Sequence, residues 1–190
     1  MKKILITGGA GYVGSILTKQ LLKNNYEVIV IDNLWFNPET PNIFIHDPKY
    51  TFIRGDIRDP QVINQSFSTP IDLVIHAAAV VGDPASKLFP KETQEINYDA
   101  SVNLINAAKE HNVKGFIFLS TCSNYGISDN LATEETPLNP LSLYAETKVN
   151  IEKTLMDSGN QLQWIIGRLS TVYGSSPRMR FDLTVNDFTL

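Results

Sequence analysis

The sequence predicts a doubly wound α/β fold, in which a parallel sheet is covered by helices on both faces. Short apolar runs rich in β-branched residues alternate along the 190-residue chain with longer segments of helical periodicity. The apolar runs are nearly continuous, which is typical of parallel strands that are buried on both sides. Because strands and helices alternate, right-handed crossover connections between parallel strands are expected.

The predicted elements follow in order along the chain. Six strands are predicted, at residues 3–7, 27–32, 50–55, 72–78, 115–120 and 163–169. Four helices are predicted between them, at 12–24, 60–67, 90–111 and 142–157. The third helix carries a broad apolar stripe, as expected for a helix that packs on a sheet. The proline-rich stretch 33–49 and the stretch 121–140 are predicted as loops.

The composition is that of an ordinary globular domain and excludes several classes of protein. Hydrophobic residues make up 43%, charged residues 19%, and the net charge is −4, so no basic surplus points to nucleic acid. No apolar run approaches the length of a membrane span, and the apolar part of MKKILIT is too short for a signal peptide. The single cysteine, Cys122, excludes an internal disulfide framework. A cytoplasmic protein without membrane or nucleic-acid partners is therefore expected.

The stretch ITGGAGYVGS, residues 6–15, places spaced glycines directly after the first predicted strand. Gly8 permits a tight turn, Gly11 lets the backbone approach a pyrophosphate, and Gly14 lets the following helix pack closely on the strand. The N–H groups near Tyr12 and Val13, in the first turn of that helix, then face the phosphates. Glycine turns also serve purely structural ends, but the strand–turn–helix context favours a dinucleotide site.

Asp32 ends the second predicted strand, about 20 residues after the glycine turn, where dinucleotide-binding folds place an acidic residue. A carboxylate at this place accepts hydrogen bonds from the hydroxyls of an adenosine ribose. It also repels a 2′-phosphate, and no arginine or lysine follows closely in the sequence. The cofactor is therefore predicted to be NAD rather than NADP.

The segment LSLYAETKVNIEK carries Tyr144 and Lys148, which fall on one face of a predicted helix. A phenol is a poor base at neutral pH because its reference pKa is near 10. An ammonium about 4 Å away contributes up to roughly 4 kcal/mol at an effective dielectric near 20, enough to bring the phenol pKa towards neutrality. Such a tyrosine removes a proton from a sugar hydroxyl while hydride leaves the same carbon. As a pair alone, Tyr and Lys four residues apart also occur often on exposed helices.

These features belong to a longer ordered series of motifs. The series reads TGGAGYVG, Asp32, GDIRD (55–59), HAAA (76–79), INYDAS (96–101), LSTCSNYG (119–126), YAETK (144–148) and RLSTVYG (168–174). It resembles the extended short-chain dehydrogenase/reductase family, the NAD-dependent epimerases and dehydratases of nucleotide sugars, over essentially the whole chain. The resemblance implies a Rossmann fold, NAD as the cofactor and a nucleotide sugar as the substrate.

The resemblance also implies cofactor-binding residues. They are Gly8, Gly11, Tyr12, Val13, Gly14, Asp32, Asn33, Asp56, Ile57, Ala77, Ala78, Ala79, Asn97, Tyr144 and Lys148. By this resemblance Asp32 and Asn33 anchor the ribose, and Asp56 and Ile57 bracket the adenine. The alanines match the strand end that passes the cofactor. Asn97 matches an asparagine that braces the central helix and the active site.

Three catalytic residues follow from the same resemblance, namely Thr121, Tyr144 and Lys148. Thr121 hydrogen-bonds the substrate oxygen that becomes a carbonyl, and Tyr144 is the base. Lys148 modulates the pKa of that tyrosine and binds the nicotinamide ribose. Without the resemblance, a strand-end hydroxyl that caps the backbone is the preferred interpretation of Thr121.

The residues after Thr121 bear on the type of reaction. The sugar 4,6-dehydratases of the family carry an Asp-Glu pair there, with which they expel water, whereas this chain has Cys122 and Ser123. NAD-dependent epimerisation of a nucleotide sugar through a transient keto sugar is therefore predicted. Two alternatives stay open, an NAD-dependent ketoreductase or dehydrogenase on a related sugar and a truncated chain that only binds NAD. Cys122 is interpreted as a small packed thiol rather than a catalytic one.

The end of the chain is expected to begin a second region. Residues 1–172 are predicted as the NAD-binding domain and 173–190 as the start of a substrate-binding lobe that is largely missing. In the resembled family, Asn186 lies where many members contact the sugar diphosphate, and Arg178 or Arg180 are candidates to meet phosphate oxygens. Surface arginines on a loop are an equal alternative. Thr171 stands where the family often has asparagine, which weakens inference about the substrate there.

The resemblance further implies a homodimer, in which helices 90–111 and 142–157 of two chains form a four-helix bundle. Packing on the sheet explains the apolar stripe of the first helix equally well. His76 matches a strand-end histidine of the family and is expected to be structural. His46, His76 and His111 lack the spacing of metal ligands, so no metal site is expected.

Overall fold

The structure of the chain is a computed structural model that describes residues 2–36, 38–127 and 131–189. Within these residues, six parallel strands form one sheet: β1 (Lys3–Thr7), β2 (Glu27–Asp32), β3 (Tyr50–Arg54), β4 (Leu73–His76), β5 (Gly115–Thr121) and β6 (Gln163–Leu169). Their order across the sheet is β3-β2-β1-β4-β5-β6. The chain therefore builds outward from β1 to one side and then to the other, as in the Rossmann fold. The predicted doubly wound α/β fold is confirmed.

Helices connect these strands. Those in the described ranges are α1 (Tyr12–Lys23), α2 (Pro60–Ser66), α3 (Asp83–Leu88), α4 (Pro90–Gln94), α5 (Ser101–Glu110), α6 (Leu143–Met156) and α7 (Thr184–Phe188). The helix predicted at 90–111 contains a π-helical turn, Glu95–Ala100, between α4 and α5. Such turns are rare and often mark functional sites. Of the helices in these ranges, none combines the length and the hydropathy needed to cross a bilayer.

Side-chain caps fix the start of two of the helices. The Ser142 hydroxyl accepts a hydrogen bond from the N–H of Ala145 at the start of α6. Asp59 accepts one from the N–H of Gln61 at the start of α2. These caps satisfy donors that a helix leaves open at its first turn. The cap of α6 also fixes the position of the helix that carries Tyr144.

The core lies on both faces of the sheet. Successive residues of β1 point to opposite faces, so Leu5 packs with apolar residues of α2, α5 and α6, while Ile4 and Ile6 pack with those of α1. The outermost strand departs from the expected burial on both sides. Ile165 in β6, at one edge of the sheet, is 63% exposed, whereas Ile53 in β3, at the other edge, is buried.

The structure also differs from the predicted elements in a few places. Helices α3 and α7 were not predicted, because six and five residues are too few to show a helical period. Short 3₁₀ turns occupy parts of the predicted loops and the connection between α6 and β6, at Thr40–Ile43, Cys122–Tyr125 and Gly159–Gln161. Strand β4 ends at His76, before the predicted end at 78. Asn37 and residues 128–130 of the predicted loops lie outside the described residues.

Candidate active site

A cavity of about 560 Å³ lies at the carboxyl ends of the strands. Its walls come from the glycine turn after β1, the ends of β2, β4 and β5, helix α6 and residues of the segment 169–183. It sits above β1 and β4, where the strand order reverses. Doubly wound sheets bind ligands at this switch point. The predicted cofactor turn and the predicted catalytic residues thus face one cavity.

The glycine turn has a conformation that other residues do not tolerate. Gly8 has a φ of +72°, and a Cβ there would lie 2.6 Å from the backbone nitrogen of Ala78. A Cβ on Gly14 would overlap the carbonyl oxygen of Gly8. Helix α1 begins directly after the turn, at Tyr12, and the first N–H groups of a helix have no acceptor within it. The turn and the helix N-terminus form a cradle that suits a phosphate group.

Asp32, at the end of β2, lines the cavity beside this cradle. Its Oδ2 accepts a hydrogen bond from the N–H of Ala10 at 3.0 Å, and its Oδ1 accepts one from Leu34 at 2.9 Å. An ionised carboxylate has about four acceptor positions, so others remain for the hydroxyls of a ribose. Burial raises the pKa of Asp32, although these two bonds and the Arg178 guanidinium act in the other direction.

Arg178 corrects the expectation that Asp32 has no cation nearby. The segment after β6 brings this arginine close enough to affect the pKa of Asp32, although it is far away in the sequence. Its guanidinium carbon lies 4.7 Å from the ring centre of Phe36. Phe36 in turn stacks on Trp35, with 5.8 Å between the ring centres. All of these side chains line the cavity, and the two aromatic ones were not identified from the sequence.

Asn33 and Asp56 meet beside the same end of the cavity. The Asn33 Nδ2 donates to Asp56 at 3.2 Å, and Arg58 donates to both oxygens of that carboxylate at 3.0 and 2.9 Å. Burial raises the pKa of Asp56, but the hydrogen bonds from Arg58 and Asn33 outweigh it and hold the pKa below its ordinary value. Asp56 is therefore an anion at neutral pH. The neighbouring Ile57 is buried and contributes an apolar part of the wall.

The alanines after β4 line the cavity, whereas Asn97 lies behind them. Ala77, Ala78 and Ala79 are part of the cavity wall. Asn97, in the π-helical turn, donates from Nδ2 to the carbonyl of Val80 at 2.9 Å and accepts from its N–H at 2.8 Å. Asn97 is buried and is not among the residues of the wall. These two bonds are the bracing contact that the resemblance implies for Asn97, and its contact with the cofactor stays a prediction.

Thr121, Tyr144 and Lys148 are brought together at the wall of the cavity. Thr121 ends β5, and its hydroxyl lies close enough to the phenol of Tyr144 on α6 to lower the pKa of that phenol. The same hydroxyl accepts a hydrogen bond from the N–H of Ser123 at 3.2 Å, so it also caps the turn that follows. The Nζ of Lys148 donates to the carbonyl of Leu119 at 2.9 Å. The backbone cap expected of Thr121 is present, and its hydrogen bond to the substrate oxygen stays a prediction.

The pKa shifts of Tyr144 and Lys148 differ from the sequence expectation. Burial raises the pKa of Tyr144, and the hydrogen bond from Thr121 opposes this effect. Burial also lowers the pKa of Lys148 to about 7, although the negative charge of Glu152 raises it. A lysine with this pKa carries only part of its charge at neutral pH. The predicted lowering of the Tyr144 pKa by Lys148 is therefore wrong for the protein alone.

Cys122 is exposed and lines the cavity, so the prediction of a packed thiol is wrong. Strand β5 ends at Thr121, and the 3₁₀ turn Cys122–Tyr125 carries the next residue out of the sheet. Ser123, the second residue of that turn, lines the cavity too. Neither side chain offers a carboxylate at this part of the wall.

His76 is fully buried at the end of β4. Its Nδ1 lies 2.6 Å from the Thr7 hydroxyl and its Nε2 lies 2.7 Å from the Ser101 hydroxyl. Burial lowers the pKa of His76 to about 3, and the charge of Lys148 adds to this effect. A neutral imidazole offers one donor and one acceptor, which these two hydroxyls match. The expected structural role of His76 is confirmed.

No metal site is evident in the ranges 2–36, 38–127 and 131–189. Within them, no cluster of three or more His, Cys, Asp or Glu side chains is placed to hold a metal ion.

The segment after β6 folds back onto the start of α1. The Tyr12 hydroxyl donates to the carbonyl of Gly174 at 2.6 Å and accepts from the Nδ2 of Asn186 at 3.0 Å. Asn186 is buried and is not part of the cavity wall. Asn186 has internal hydrogen bonds that hold this segment, and the diphosphate contact expected of it stays a prediction. Arg178 and Arg180 do line the cavity, and their contact with phosphate stays a prediction.

Sequence reasoning missed an ion pair behind the catalytic residues. The Arg168 Nη2 lies 2.7 Å from an oxygen of Glu152, whose side chain is 1% exposed. Glu152 follows Lys148 by one helical turn, as Lys148 follows Tyr144, and this repeated spacing was the available signal. No comparable local signal marks Arg168, because the pairing joins β6 to α6.

The strand order, the glycine cradle and the cavity at the switch point define a dinucleotide-binding α/β fold. The family is then shown by comparison with known proteins. The model of the NAD dependent epimerase/dehydratase family matches residues 4–188, and the chain belongs to this family.

Two relatives from other organisms are similar to this chain over most of its length. The chain is 35% identical over 178 residues to a UDP-glucose 4-epimerase of Lactobacillus helveticus, covering 92% of this chain and 53% of that protein. It is 37% identical over 183 residues to a UDP-glucose 4-epimerase of Halalkalibacterium halodurans, covering 93% and 53%. The chain therefore spans about half the length of these relatives.

Two solved structures extend the comparison to three dimensions. A UDP-glucose 4-epimerase of Thermus thermophilus in complex with NAD superposes with a TM-score of 0.85 at 31% identity, covering 97% of this chain and 59% of that one. A UDP-glucuronic acid 4-epimerase of Bacillus cereus in complex with NAD gives a TM-score of 0.84 at 33% identity, covering 97% and 60%.

Proposed function

We propose that this chain carries the cofactor-binding and catalytic residues of an NAD-dependent epimerase that acts on a nucleotide sugar through a transient keto sugar. The single observation behind this proposal is that Thr121, Tyr144 and Lys148 line the same cavity as the glycine turn. The relatives support it, since they are named as UDP-sugar 4-epimerases. A UDP sugar is accordingly the proposed class of substrate.

The cavity suits the pyrophosphate and the adenosine ribose of NAD. The glycine turn leaves no room for side chains where the pyrophosphate approaches, and Asp32 keeps acceptor positions for a ribose. Two of the similar structures were solved in complex with NAD. The residues proposed to hold it are Gly8, Gly11, Tyr12, Val13, Gly14, Asp32, Asn33, Asp56, Ile57, Ala77, Ala78, Ala79, Tyr144 and Lys148.

The proposed chemistry assigns one task to each catalytic residue. Thr121 holds the sugar hydroxyl that is oxidised, and Tyr144 removes its proton. When bound in its oxidised form, NAD supplies a hydride acceptor and a positive charge. A positive charge in the cavity lowers the pKa of Tyr144, against the effect of burial. Lys148 adds to that effect to the extent that it is protonated.

Epimerisation fits this site better than dehydration. Expelling water from the sugar needs a group that donates a proton to the leaving hydroxyl, and Cys122 and Ser123 stand where dehydratases of the resembled family carry carboxylates. The same three catalytic residues also suit a ketoreductase or dehydrogenase on a related sugar. A chain that only binds NAD is a further alternative, because the chain spans about half of its relatives.

Further parts of the proposal concern the organisation of the protein. Residues 1–172 are proposed as the NAD-binding domain and 173–190 as the start of the substrate-binding region. Arg178 and Arg180 are proposed to meet the sugar diphosphate, since both line the cavity. The homodimer, the cytoplasmic location and the absence of nucleic-acid and membrane partners remain predictions from the sequence.

The proposal is tested by incubating the protein with NAD and single UDP sugars and following the sugar by NMR. The expected result is conversion of one UDP sugar into an epimer, with no net NADH in the absorbance at 340 nm. Accumulation of NADH together with a keto sugar would favour the dehydrogenase. Binding of NAD without conversion of any tested UDP sugar would favour the binding module.

A further inference from the structure

A buried carboxylate lies directly behind the proposed catalytic residues. Glu152 is fully buried on α6, one helical turn beyond Lys148 and two turns beyond Tyr144. Residues at this spacing share one face of a helix. Burying an ionised carboxylate is costly unless charged and polar partners compensate it, so these partners indicate what the residue does.

The partners of Glu152 come from separate elements around the end of β5. Its Oε1 accepts hydrogen bonds from the Ser120 hydroxyl at 2.5 Å and from the Asn124 Nδ2 at 2.7 Å. Arg168, on β6, donates from Nε and Nη2 to Oε2 at 3.0 and 2.7 Å. The Nη1 of Arg168 then donates to the Tyr125 hydroxyl at 3.0 Å. One carboxylate therefore links α6, β5, β6 and the 3₁₀ turn Cys122–Tyr125.

These bonds fix the position of Thr121 relative to α6. Ser120 directly precedes Thr121, and Asn124 lies in the turn that the Thr121 hydroxyl caps. The chain on both sides of Thr121 is thus held by Glu152 on the helix that carries Tyr144. Catalytic groups held by such a layer keep the geometry that their reaction needs.

Glu152 also supplies charge to the interior around Lys148. Lys148 is buried, with its Nζ bonded to the Leu119 carbonyl and 4.6 Å from the ring centre of Phe118. Burial lowers the pKa of Lys148, and the charge of Glu152 raises it. Among the described residues, His76 on β4 and Tyr144 on α6 are titratable groups near Lys148, and burial favours the neutral form of each. Arg168 on β6 is engaged with Glu152 itself.

We propose that Glu152 is a positioning residue of the Thr121–Tyr144–Lys148 site, whose carboxylate both fixes the end of β5 against α6 and favours the charged form of Lys148. The importance of this residue for turnover rests on the proposed function. Its effect on the charge of Lys148 does not rest on that function, because the effect is measured in the free protein, without cofactor or substrate.

The test is a pH titration of the full chain labelled with ¹³C at the Cε of lysine and followed by NMR, with Lys148→Arg to assign the signal. In the unsubstituted protein the Lys148 signal is expected to titrate near pH 7. Glu152→Gln keeps the shape of the side chain and removes its charge. Its Lys148 midpoint is expected to fall by about one pH unit or more, as removal of a nearby opposite charge predicts.

Ser120→Ala is the matched control, because it removes a hydrogen bond to Glu152 and leaves the charge in place. Its Lys148 midpoint is expected to stay at the value of the unsubstituted protein. Glu152→Gln leaves Arg168 without its counter-charge, which can prevent folding. A second comparison avoids this unpaired charge. It sets Arg168→Gln, which keeps the Glu152 carboxylate, against the double variant Glu152→Gln/Arg168→Gln, which lacks it.

The outcomes separate this inference from the proposed function. A lower Lys148 midpoint whenever the carboxylate is removed supports the inference, even where no UDP sugar is converted. The inference is overturned if folded Glu152→Gln has the Lys148 midpoint of the unsubstituted protein. It is also overturned if the folded double variant has the Lys148 midpoint of Arg168→Gln. A fall of the same size in Ser120→Ala also overturns it, because the charge would then not be the cause.

Discussion

Tyr12 and Asn186, near opposite ends of the chain, share a hydrogen bond in which the Asn186 Nδ2 donates to the Tyr12 hydroxyl at 3.0 Å. The Oδ1 of Asn186 accepts from the N–H of Gly174 at 2.9 Å, and its Nδ2 also donates to the carbonyl of Arg180. The Ser176 hydroxyl donates to the carbonyl of Tyr12 at 2.7 Å. The start of α1, which faces the phosphate cradle, is thus joined to the segment that brings both arginines to the cavity.

Replacing Tyr12 with phenylalanine is expected to loosen this segment without unfolding the sheet. The variant loses the two hydrogen bonds of the hydroxyl and leaves the Gly174 carbonyl and the Asn186 amide without this partner. The expected loss is about 1–3 kcal/mol in the stability of the segment, measured by faster limited proteolysis after residue 174. Tyr173→Phe, at an exposed tyrosine of the same segment, is the control. Equal cleavage rates in both variants would contradict the role of Tyr12.

Gly14→Ala is expected to distort the glycine turn, because the new Cβ overlaps the carbonyl oxygen of Gly8. Backbone must shift to relieve the overlap, and the expected loss in the free energy of unfolding is about 1–3 kcal/mol in urea. Gly167→Ala is the matched control, since a Cβ there makes only ordinary contacts, the nearest at 3.8 Å. If both variants unfolded at the same urea concentration, the close packing at Gly14 would not matter for stability.

Acid is expected to destabilise the protein through His76. Burial lowers the pKa of His76 from 6.5 to about 3, so between these pH values the unfolded state binds more protons than the folded state. The contribution of neutral His76 to the free energy of unfolding is fully present above pH 6.5. It is lost as the pH falls, and the loss is about 2 kcal/mol at pH 5. His76→Gln removes the titrating group, and its unfolding free energy should fall correspondingly less between pH 7 and 5. The same pH dependence in both proteins would exclude His76 as the cause.

Tyr144→Phe is expected to lower epimerisation of the converted UDP sugar by about 100-fold or more, because the base is lost while the ring still packs in the wall. Turnover is followed by NMR at saturating NAD, and calorimetry with NAD checks that the cavity is still formed. Turnover within tenfold of the unsubstituted protein would show that another group removes the proton.

Local stereochemistry explains what could be predicted from the sequence. Strands β1, β2 and β6 begin and end at the predicted residues, because apolar runs bounded by turn residues are a local signal. The turn at Gly8 was predictable for the same reason. Its backbone has a positive φ, which glycine adopts readily, so the residue type itself is the local signal. Thr121, Tyr144 and Lys148 were brought together as expected from the matched motifs.

What could not be predicted depends on contacts between distant segments. Arg178 comes near enough to Asp32 to influence its pKa, and Arg168 forms an ion pair with Glu152, only after the strands have taken their places in the sheet. The pKa of Tyr144 is raised rather than lowered, because burial, which the sequence does not show, has the largest effect on it. Cys122 is exposed for a similar reason, because the end of β5 and the following turn decide where the thiol points.

The central claim is that the cavity above β1 and β4 is an NAD site, and calorimetric titration of this chain with NAD and separately with NADP tests it most directly. Asp32 favours ribose hydroxyls, while Arg178 nearby is a cation that a 2′-phosphate could use. NAD is expected to bind at one site per chain, and NADP at least about tenfold more weakly, a difference of about 1.4 kcal/mol. Equal or tighter binding of NADP, or binding of neither by the folded chain, would contradict the account.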